Sequence, residues 1–285
     1  MSGSSYWLAS YPKSGNTWFR AFLTALRGKE EAQIDINNMQ TDGIASGRRW
    51  IDEVLGFDSA DLTPDEIMHL RPLVYRWSGA EPEPRYVKVH DAYVRLANGD
   101  ALFPAEATTA ALYIVRNPLD VAPSFARHMG MNLDDTIAAM GNPDFGLVMG
   151  THGIGNQVHQ PMGTWSDHVL SWIEAEGIRL EVIRFEDMKN APLSTFTRAA
   201  TLLGLPSNPE RVSRAIDAAA IENLRAQEAE KGFRERSRKA GAFFGEGKTG
   251  GWRDKLNPEQ VAKIVTDHGE VMRRLGYLDD AGNPV

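Results

Sequence analysis

The chain has 285 residues, of which 42% are hydrophobic and 24% are charged, and its formal net charge at pH 7 is −7. This composition is typical of a globular protein, and no linker, repeat or low-complexity tract divides the sequence. We therefore expect one domain over residues 1–285. The negative charge argues against general nucleic-acid binding. Cysteine is absent, which excludes disulfides, thiol nucleophiles and Cys-ligated zinc and fits a reducing cytoplasm.

The start of the sequence, MSGSSYWLAS, has neither the basic region nor the long apolar core of a signal peptide. The sequence also contains no apolar run of about 18 residues, the length that predicts a membrane span. We expect a cytoplasmic protein with no membrane partner.

The most informative stretch is YWLASYPKSGNTWFRAFLTAL, which begins at Tyr6. A short apolar run leads into a tight loop, and apolar residues at helical spacing follow, so we predict strand, loop and helix. The N-terminus of a helix presents backbone N–H groups to an anion such as phosphate. Lys13 adds a cation, and Gly15 lets the backbone come close. Ser14 and Thr17 add hydroxyl groups. The common nucleotide-binding loop is G-x-x-x-x-G-K-[ST]. In YPKSGNTW the lysine precedes the glycine and the first glycine of that pattern is missing, so an ordinary ATP or GTP site is not supported.

Residues 30–84 are predicted to contain two helices. Ile51 and Leu55 mark a short amphipathic helix. The second helix has Thr63 as its N-cap and Pro64 at its first position, and we expect it to run towards Arg71. This region either covers the sheet or forms one wall of an acceptor pocket, and the sequence leaves both possibilities open.

Two further strands end in polar side chains. A strand over residues 85–90 places Lys88 and His90 on one face, with His90 at the end where open parallel sheets bind ligands. On composition alone, a lone histidine is more often structural than catalytic.

A buried strand over residues 110–115 leads into Arg116 and a helix that contains Ser124. Without context, an ion pair between Arg116 and Asp120 is an equal alternative to ligand binding.

The rest of the sequence predicts a long loop, one further strand and several helices. Residues 130–164 are rich in Gly, Met, Asn and His, and we expect a long loop that acts as an acceptor-side lid. His152 and His159 lack the spacing of metal ligands. A helix is predicted from Trp165, a fourth strand over residues 180–185, helices over residues 192–224 with a break at 204–206, and a last helix that ends near Gly276.

Three separate motifs resemble those of sulfotransferases that use PAPS, 3′-phosphoadenosine-5′-phosphosulfate. They are YPKSGNTW at residues 11–18, KVH at residues 88–90 and YIVRNPLDVAPS at residues 113–124. The resemblance implies an α/β fold with a mainly parallel central sheet flanked by helices and a P-loop-like phosphosulfate loop. It also implies PAPS as donor, adenosine 3′,5′-bisphosphate (PAP) as product, a small-molecule acceptor with a hydroxyl or an amine, and no metal.

The resemblance assigns roles to individual residues. His90 would be the general base, Lys13 would stabilise the leaving phosphate, and Lys88 would assist at the sulfonate. The residues expected to hold the 5′-phosphosulfate are Lys13, Ser14, Gly15, Asn16, Thr17 and Trp18. Arg116 and Ser124 would bind the 3′-phosphate. Phe185 stands where the family usually has a tyrosine near the adenine.

The segment FFGEGKTGGWR, which begins at Phe243, resembles the family's R-K-G-x-x-G-x-W nucleotide loop in part. Gly247, Gly250 and Trp252 match, whereas Gly245 and Glu246 stand in place of the Arg-Lys pair. The basic residues that could substitute for that pair are Lys248, Arg238 and Lys239. The family's common dimerisation motif is not evident in residues 254–263, so both a monomer and a homodimer remain open.

Two alternative functions fit the same stretches. A P-loop kinase would require Mg²⁺, and Asp187 is the tempting metal ligand. A non-catalytic nucleotide-binding protein would bind the desulfated nucleotide and form no product.

Overall fold

The computed structural model of the protein describes residues 4–28, 34–149, 155–237, 241–245 and 247–285. The chain divides into two compact units. The first unit comprises Met1–Tyr11, Thr41–Tyr113 and Pro143–Val182, and the second unit comprises Pro12–Gln40, Ile114–Asn142 and Ile183–Val285. The expectation of one domain over residues 1–285 stays a prediction.

The strands of the described chain are β1 (Ser5–Ser10), β2 (Arg85–Val89), β3 (Thr108–Val115), β4 (Gly146–Leu147), β5 (Gln160–Pro161) and β6 (Leu180–Arg184). Four of them form the main sheet in the order β2-β1-β3-β6. The apolar runs predicted as strands near Tyr6 and over residues 110–115 are confirmed as β1 and β3, and both are almost wholly buried. β1 and β2 are parallel, with Ala9 opposite Val89, so both strands end at the same edge of the sheet.

The helices of the described chain are α1 (Asn16–Arg27), α2 (Arg48–Leu55), α3 (Pro64–Gly79), α4 (Pro118–Met129), α5 (Leu133–Met140), α6 (Trp165–Ile173), α7 (Phe185–Asn190), α8 (Pro192–Leu202), α9 (Pro209–Ala218), α10 (Ile221–Lys231) and α11 (Pro258–Arg274). They confirm the predicted helices after the phosphate loop, around Ile51, from Trp165, on both sides of residues 204–206 and near the end of the chain.

Helix α3 begins as predicted but ends later. Thr63 and Glu66 form a capping box, and Pro64 occupies the first turn. The helix then continues past Arg71 and through Pro72 to Gly79. An internal proline removes one backbone hydrogen bond. Side chains beyond the proline, such as Tyr75, are fully buried, and this packing outweighs that loss.

The prediction of a long loop over residues 130–164 was wrong in part. Asn132 accepts a hydrogen bond from the Asp135 N–H and so caps α5, which occupies the start of the region. β4 and β5 form a short antiparallel pair further on. The capping asparagine was the missed signal. His152 lies outside the described residues, and the role of a lid stays a prediction.

An ion pair between Arg71 and Asp91 is completely buried in the first unit. Arg71 Nη1 lies 2.7 Å from Asp91 Oδ1 and also donates to the carbonyl of His159 at 3.1 Å. Arg71 Nε donates to the Tyr75 hydroxyl at 2.8 Å. Since Asp91 directly follows His90, this network holds the chain just beyond β2.

Replacing Arg71 by methionine should lower the free energy of unfolding by about 3–5 kcal/mol, because the Asp91 carboxylate would stay buried without its cation. The double variant Arg71→Met, Asp91→Leu should recover part of this loss, because it removes both charges. Urea unfolding of the two variants and the wild type measures this. A single variant that unfolds at the wild-type urea concentration would show that the pair does not stabilise the fold.

Candidate active site

The predicted phosphate loop follows β1 in the sequence and leads into α1 in the second unit. Lys13 has φ of 68° and Gly15 has φ of 106°, so the backbone is left-handed at both residues. Gly15 is the N-cap of α1 and provides no side chain to cap it. The first-turn N–H groups and the positive end of the helix dipole therefore face the loop, which is the arrangement that binds an anion.

Polar side chains of this loop are buried. Ser14 is fully buried, and its hydroxyl has no hydrogen-bond partner within the described part of the chain. Such a hydroxyl is uncommon because leaving it unpaired costs about 1–3 kcal/mol. Asn16 and Thr17, in the first turn of α1, are also buried. The loop thus offers a buried hydroxyl and a helix N-terminus at one place, and a phosphate group fits both.

Phe185 packs directly against the loop. A Cβ atom on residue 15 would lie 2.7 Å from Cδ2 of Phe185, so only glycine allows this approach. Phe185 is the first residue of α7, directly after β6. Its ring meets the Trp18 ring at 5.7 Å in an edge-on contact. The Trp18 indole N–H donates to the carbonyl of Ala219 at 2.9 Å. Phe185 is buried and Trp18 is half-buried, and their two rings pack together beside the loop.

Arg116 joins two loops of the second unit. Its Nη1 donates to the Lys13 carbonyl at 3.2 Å, and its Nη2 donates to the Lys248 carbonyl at 2.9 Å. Its Cζ lies 4.3 Å from the centre of the Phe185 ring. Burial lowers the pKa of Arg116 from its ordinary value. Within the described chain, the hydrogen bonds of Arg116 thus go to main-chain carbonyls. The sequence had offered an ion pair between Arg116 and Asp120 as the alternative to ligand binding.

Asp120 has a different task, which sequence reasoning missed. Its Oδ2 accepts from the Gly250 N–H at 2.7 Å, and its Oδ1 accepts from the Trp252 N–H at 3.0 Å. Gly247 and Gly250 both adopt positive φ, at 63° and 73°. Asp120 therefore holds the glycine-rich segment that contains Lys248. The sequence offered only the position of Asp120 early in α4, which does not reveal a partner far along the chain.

Lys13 is held by an aromatic ring. Its Nζ lies 3.7 Å from the centre of the Phe243 ring. The Glu228 carboxylate accepts from the N–H groups of Phe243 and Phe244 at 2.7 and 2.9 Å. Glu228 was also missed, since nothing in α10 marks one of its several acidic residues as a main-chain anchor.

The remaining residues that were predicted to bind the nucleotide include Ser124 and Lys248. Ser124 is half-buried in α4, and its hydroxyl forms no hydrogen bond with another described residue. The Lys248 side chain is exposed. Arg238, Lys239 and Glu246 lie outside the described residues.

In the first unit, His90 lies directly after β2, which ends at Val89, whereas the predicted strand had included His90 as its last residue. Its Nδ1 lies 2.8 Å from the carbonyl oxygen of Ser10. Because a carbonyl only accepts hydrogen bonds, Nδ1 carries the proton and the lone pair of the neutral imidazole is on Nε2. The contact thus selects the tautomer that a general base acting through Nε2 requires.

A second histidine positions the main chain of the first. His168, in α6, has Nε2 2.9 Å from the His90 carbonyl oxygen and Nδ1 2.9 Å from the Tyr113 hydroxyl. Nε2 therefore donates to His90, and Nδ1 accepts from Tyr113. Burial lowers the pKa of His168 to about 4, so its imidazole is neutral near pH 7. His168 lies in the helix that the sequence predicted from Trp165, but nothing in the sequence connected it with His90.

Lys88 is half-buried in β2 and lies opposite Leu8 of β1. Its N–H donates to the Gly43 carbonyl at 3.0 Å, and its carbonyl accepts from the Ala45 N–H at 2.8 Å. These bonds fix the Lys88 backbone from both sides.

The sequence profile of the family described as "Sulfotransferase domain" matches residues 4–276. The chain belongs to this family. Its curated relatives include Cytosolic sulfotransferase 17 of Arabidopsis thaliana, 22% identical over 96% of this chain and 76% of the relative. Flavonol 3-sulfotransferase of Flaveria bidentis is 23% identical over 90% of this chain and 78% of the relative.

Solved structures show the same fold. The mouse sulfotransferase SULT7A1, complexed with PAP, matches with a TM-score of 0.59 and 19% identity over 98% of this chain and 86% of that chain. Retinol dehydratase with androsterone and PAP matches with a TM-score of 0.63 and 16% identity over 96% of this chain and 82% of that chain. The prediction of an α/β fold with a mainly parallel central sheet and a P-loop-like loop is confirmed. The prediction of a PAPS-dependent sulfotransferase is confirmed at the level of the family.

The buried His168 should make stability depend on pH. Its pKa is about 4 in the folded protein, against 6.5 ordinarily, so the unfolded chain binds more protons between these values. The free energy of unfolding should therefore fall as pH falls from 6.5 to 4. A His168→Gln variant should show a shallower fall, measured by urea unfolding at several pH values. Parallel curves for the two proteins would contradict this assignment.

Proposed function

We propose that the protein transfers a sulfonate group from PAPS to a hydroxyl, or alternatively an amine, of a small-molecule acceptor. The observation that carries the proposal is the buried Ser14 hydroxyl without a described partner, beside a helix N-terminus that only Gly15 caps. It occurs in a chain of the sulfotransferase family. The PAP complexes of SULT7A1 and retinol dehydratase support the choice of nucleotide.

The residues that would hold the donor are grouped by the part of the nucleotide they contact. For the 5′-phosphosulfate they are Lys13, Ser14, Gly15, Asn16, Thr17 and Trp18. For the 3′-phosphate they are Arg116 and Ser124, and for the rest of the nucleotide they are Phe185, Gly247 and Lys248. The left-handed backbone at Lys13 and Gly15 supports the first group, since it turns main-chain N–H groups towards an anion.

The reaction exchanges one bond to sulfur for another. The acceptor oxygen bonds to sulfur while the bond between sulfur and the 5′-phosphate oxygen breaks, and PAP leaves with the electron pair. His90 takes the acceptor proton on Nε2, which the Ser10 carbonyl supports by holding the proton on Nδ1. Lys13 stabilises the charge on the leaving oxygen, and Lys88 assists at the sulfonate. The donor supplies an activated sulfonate, so this proposal needs no metal.

The acceptor is proposed by analogy with named relatives. One curated relative is a flavonol 3-sulfotransferase, and retinol dehydratase was solved with retinol and with androsterone. These molecules carry hydroxyl groups, which supports a hydroxyl acceptor. A cytoplasmic location agrees with the relatives named cytosolic sulfotransferases and stays a prediction, as does a monomeric or homodimeric state. None of the helices in the described ranges is long and apolar enough to cross a membrane.

The protein should bind PAP more tightly than ATP in the absence of Mg²⁺, because the loop and Arg116 together provide for two separate phosphate positions. Isothermal titration calorimetry with each nucleotide, with and without Mg²⁺, measures this. Tight ATP binding that requires Mg²⁺, with no binding of PAP, would instead support the kinase alternative.

His90→Ala should reduce turnover by about 10²–10⁴-fold, the usual contribution of a positioned general base. PAP affinity should stay near that of the wild type. His90→Asn should not restore turnover, because an amide cannot take a proton at neutral pH. Single-turnover rates with PAPS and an acceptor measure the effect.

The matched control is His69→Ala, which removes an exposed histidine of α3 and should leave the rate unchanged. Thermal melts of all three variants separate catalysis from folding. A His90→Ala protein that melts early but turns over normally per folded molecule would make His90 structural.

A further inference from the structure

The guanidinium group of Arg127 lies beside the backbone of Gly245. A Cβ atom on residue 245 would lie 2.8 Å from Arg127 Nη2 and 3.7 Å from its Cζ. The φ of Gly245 is not in the left-handed region, so the backbone conformation alone does not demand glycine. The glycine instead leaves room for the end of the Arg127 side chain.

Arg127 is a cation without a counter-ion in the described structure. Its side chain is exposed, and within the described part of the chain the guanidinium group forms neither a hydrogen bond nor an ion pair. The two carboxylates that act electrostatically on Arg116 are Asp120 and Glu186, and both form hydrogen bonds with other groups. Asp120 accepts the N–H groups of Gly250 and Trp252, and Glu186 accepts from the Asn117 N–H and the Tyr277 hydroxyl.

A second arginine lies within electrostatic range of the first. Burial is the main cause of the lowered pKa of Arg116, and the positive charge of Arg127 acts in the same direction. Arg116 Nε is buried and has no partner among the described residues. Ser124 precedes Arg127 by one helical turn on α4, so their side chains adjoin on the helix surface. Arg116 Nη2 donates to the Lys248 carbonyl and Arg127 lies beside Gly245, so both guanidinium groups lie against the glycine-rich segment, and Ser124 adjoins Arg127.

We infer that Arg127 is a further binding residue for the 3′-phosphate and that it makes the site prefer nucleotides that carry this group. The inference rests on the proposed function, which supplies the nucleotide. A phosphate dianion relieves the repulsion between the two arginines and accepts the planar N–H pairs of a guanidinium group. Arg127 would thus supply a cation beside Gly245, which stands at a position where the family has a basic residue.

The test compares PAP with adenosine 5′-monophosphate (AMP), which lacks the 3′-phosphate, by calorimetry. Arg127→Ala should weaken PAP binding by about 10- to 100-fold, the range of a charge-assisted contact, and leave AMP binding unchanged. Arg127→Lys should recover part of the PAP affinity, because a lysine keeps the charge but not the fork of N–H groups. Arg214→Ala, which removes an exposed arginine of α9, is the control and should affect neither ligand.

A second variant tests whether an arginine at position 245 can replace Arg127. Gly245→Arg in the Arg127→Ala background should restore the preference for PAP, since the new side chain begins beside the place that the Arg127 guanidinium group now occupies and returns a guanidinium group to this region. Equal losses of PAP and AMP affinity in Arg127→Ala would make Arg127 structural and overturn the inference. PAP binding that is unchanged in Arg127→Ala but lost in Arg116→Ala would also overturn it and leave the proposed function intact. A wild-type protein that binds PAP no more tightly than AMP would contradict the proposed function itself.

Discussion

The Phe185 ring lies so close to Gly15 that a Cβ atom on that residue would come within 2.7 Å of it. This contact, together with the left-handed backbone at Lys13 and Gly15, determines how α1 begins. A helix that starts at a glycine has no side chain to satisfy its first N–H groups, so they remain available for an anion. The same Phe185 ring faces the Arg116 guanidinium group, and Arg116 in turn holds the carbonyls of Lys13 and Lys248.

Main-chain contacts hold most of the proposed functional groups in place. In the first unit, the Ser10 carbonyl selects the tautomer of His90, and the neutral His168 holds the His90 carbonyl. In the second unit, Asp120 and Glu228 each accept two backbone N–H groups from segments far along the chain. These buried side chains fix the loops through backbone groups, and Arg116 adds to this by holding the Lys13 and Lys248 carbonyls.

The sequence was sufficient where the signal is local. The strand, loop and helix around Lys13 follow from an apolar run, a glycine and helical spacing, and all three are present in the structure. The strand pattern likewise predicted β2 and placed His90 at its C-terminal end, within one residue of where β2 ends. The continuation of α3 through Pro72 was not predictable, because burial beyond the proline outweighs the local break.

Contacts between residues far apart in the sequence could not be predicted either. Asp120, Glu228 and Arg127 look like ordinary polar residues of helices, and only the folded chain brings them to Gly250, Phe243 and Gly245. Their partners lie more than a hundred residues away for Asp120 and Arg127, a separation that no local pattern encodes.

The central claim is that the chain moves a sulfonate group and does not merely bind or hydrolyse its donor. The most direct measurement incubates the purified protein with PAPS labelled in the sulfonate and a panel of hydroxyl-bearing small molecules, and follows acceptor and nucleotide by mass spectrometry. The account predicts that one acceptor gains a labelled SO₃ group as an equal amount of PAP appears, without added metal. Release of PAP with free sulfate alone for every acceptor, or a phosphate group on the acceptor when ATP replaces PAPS, would contradict it.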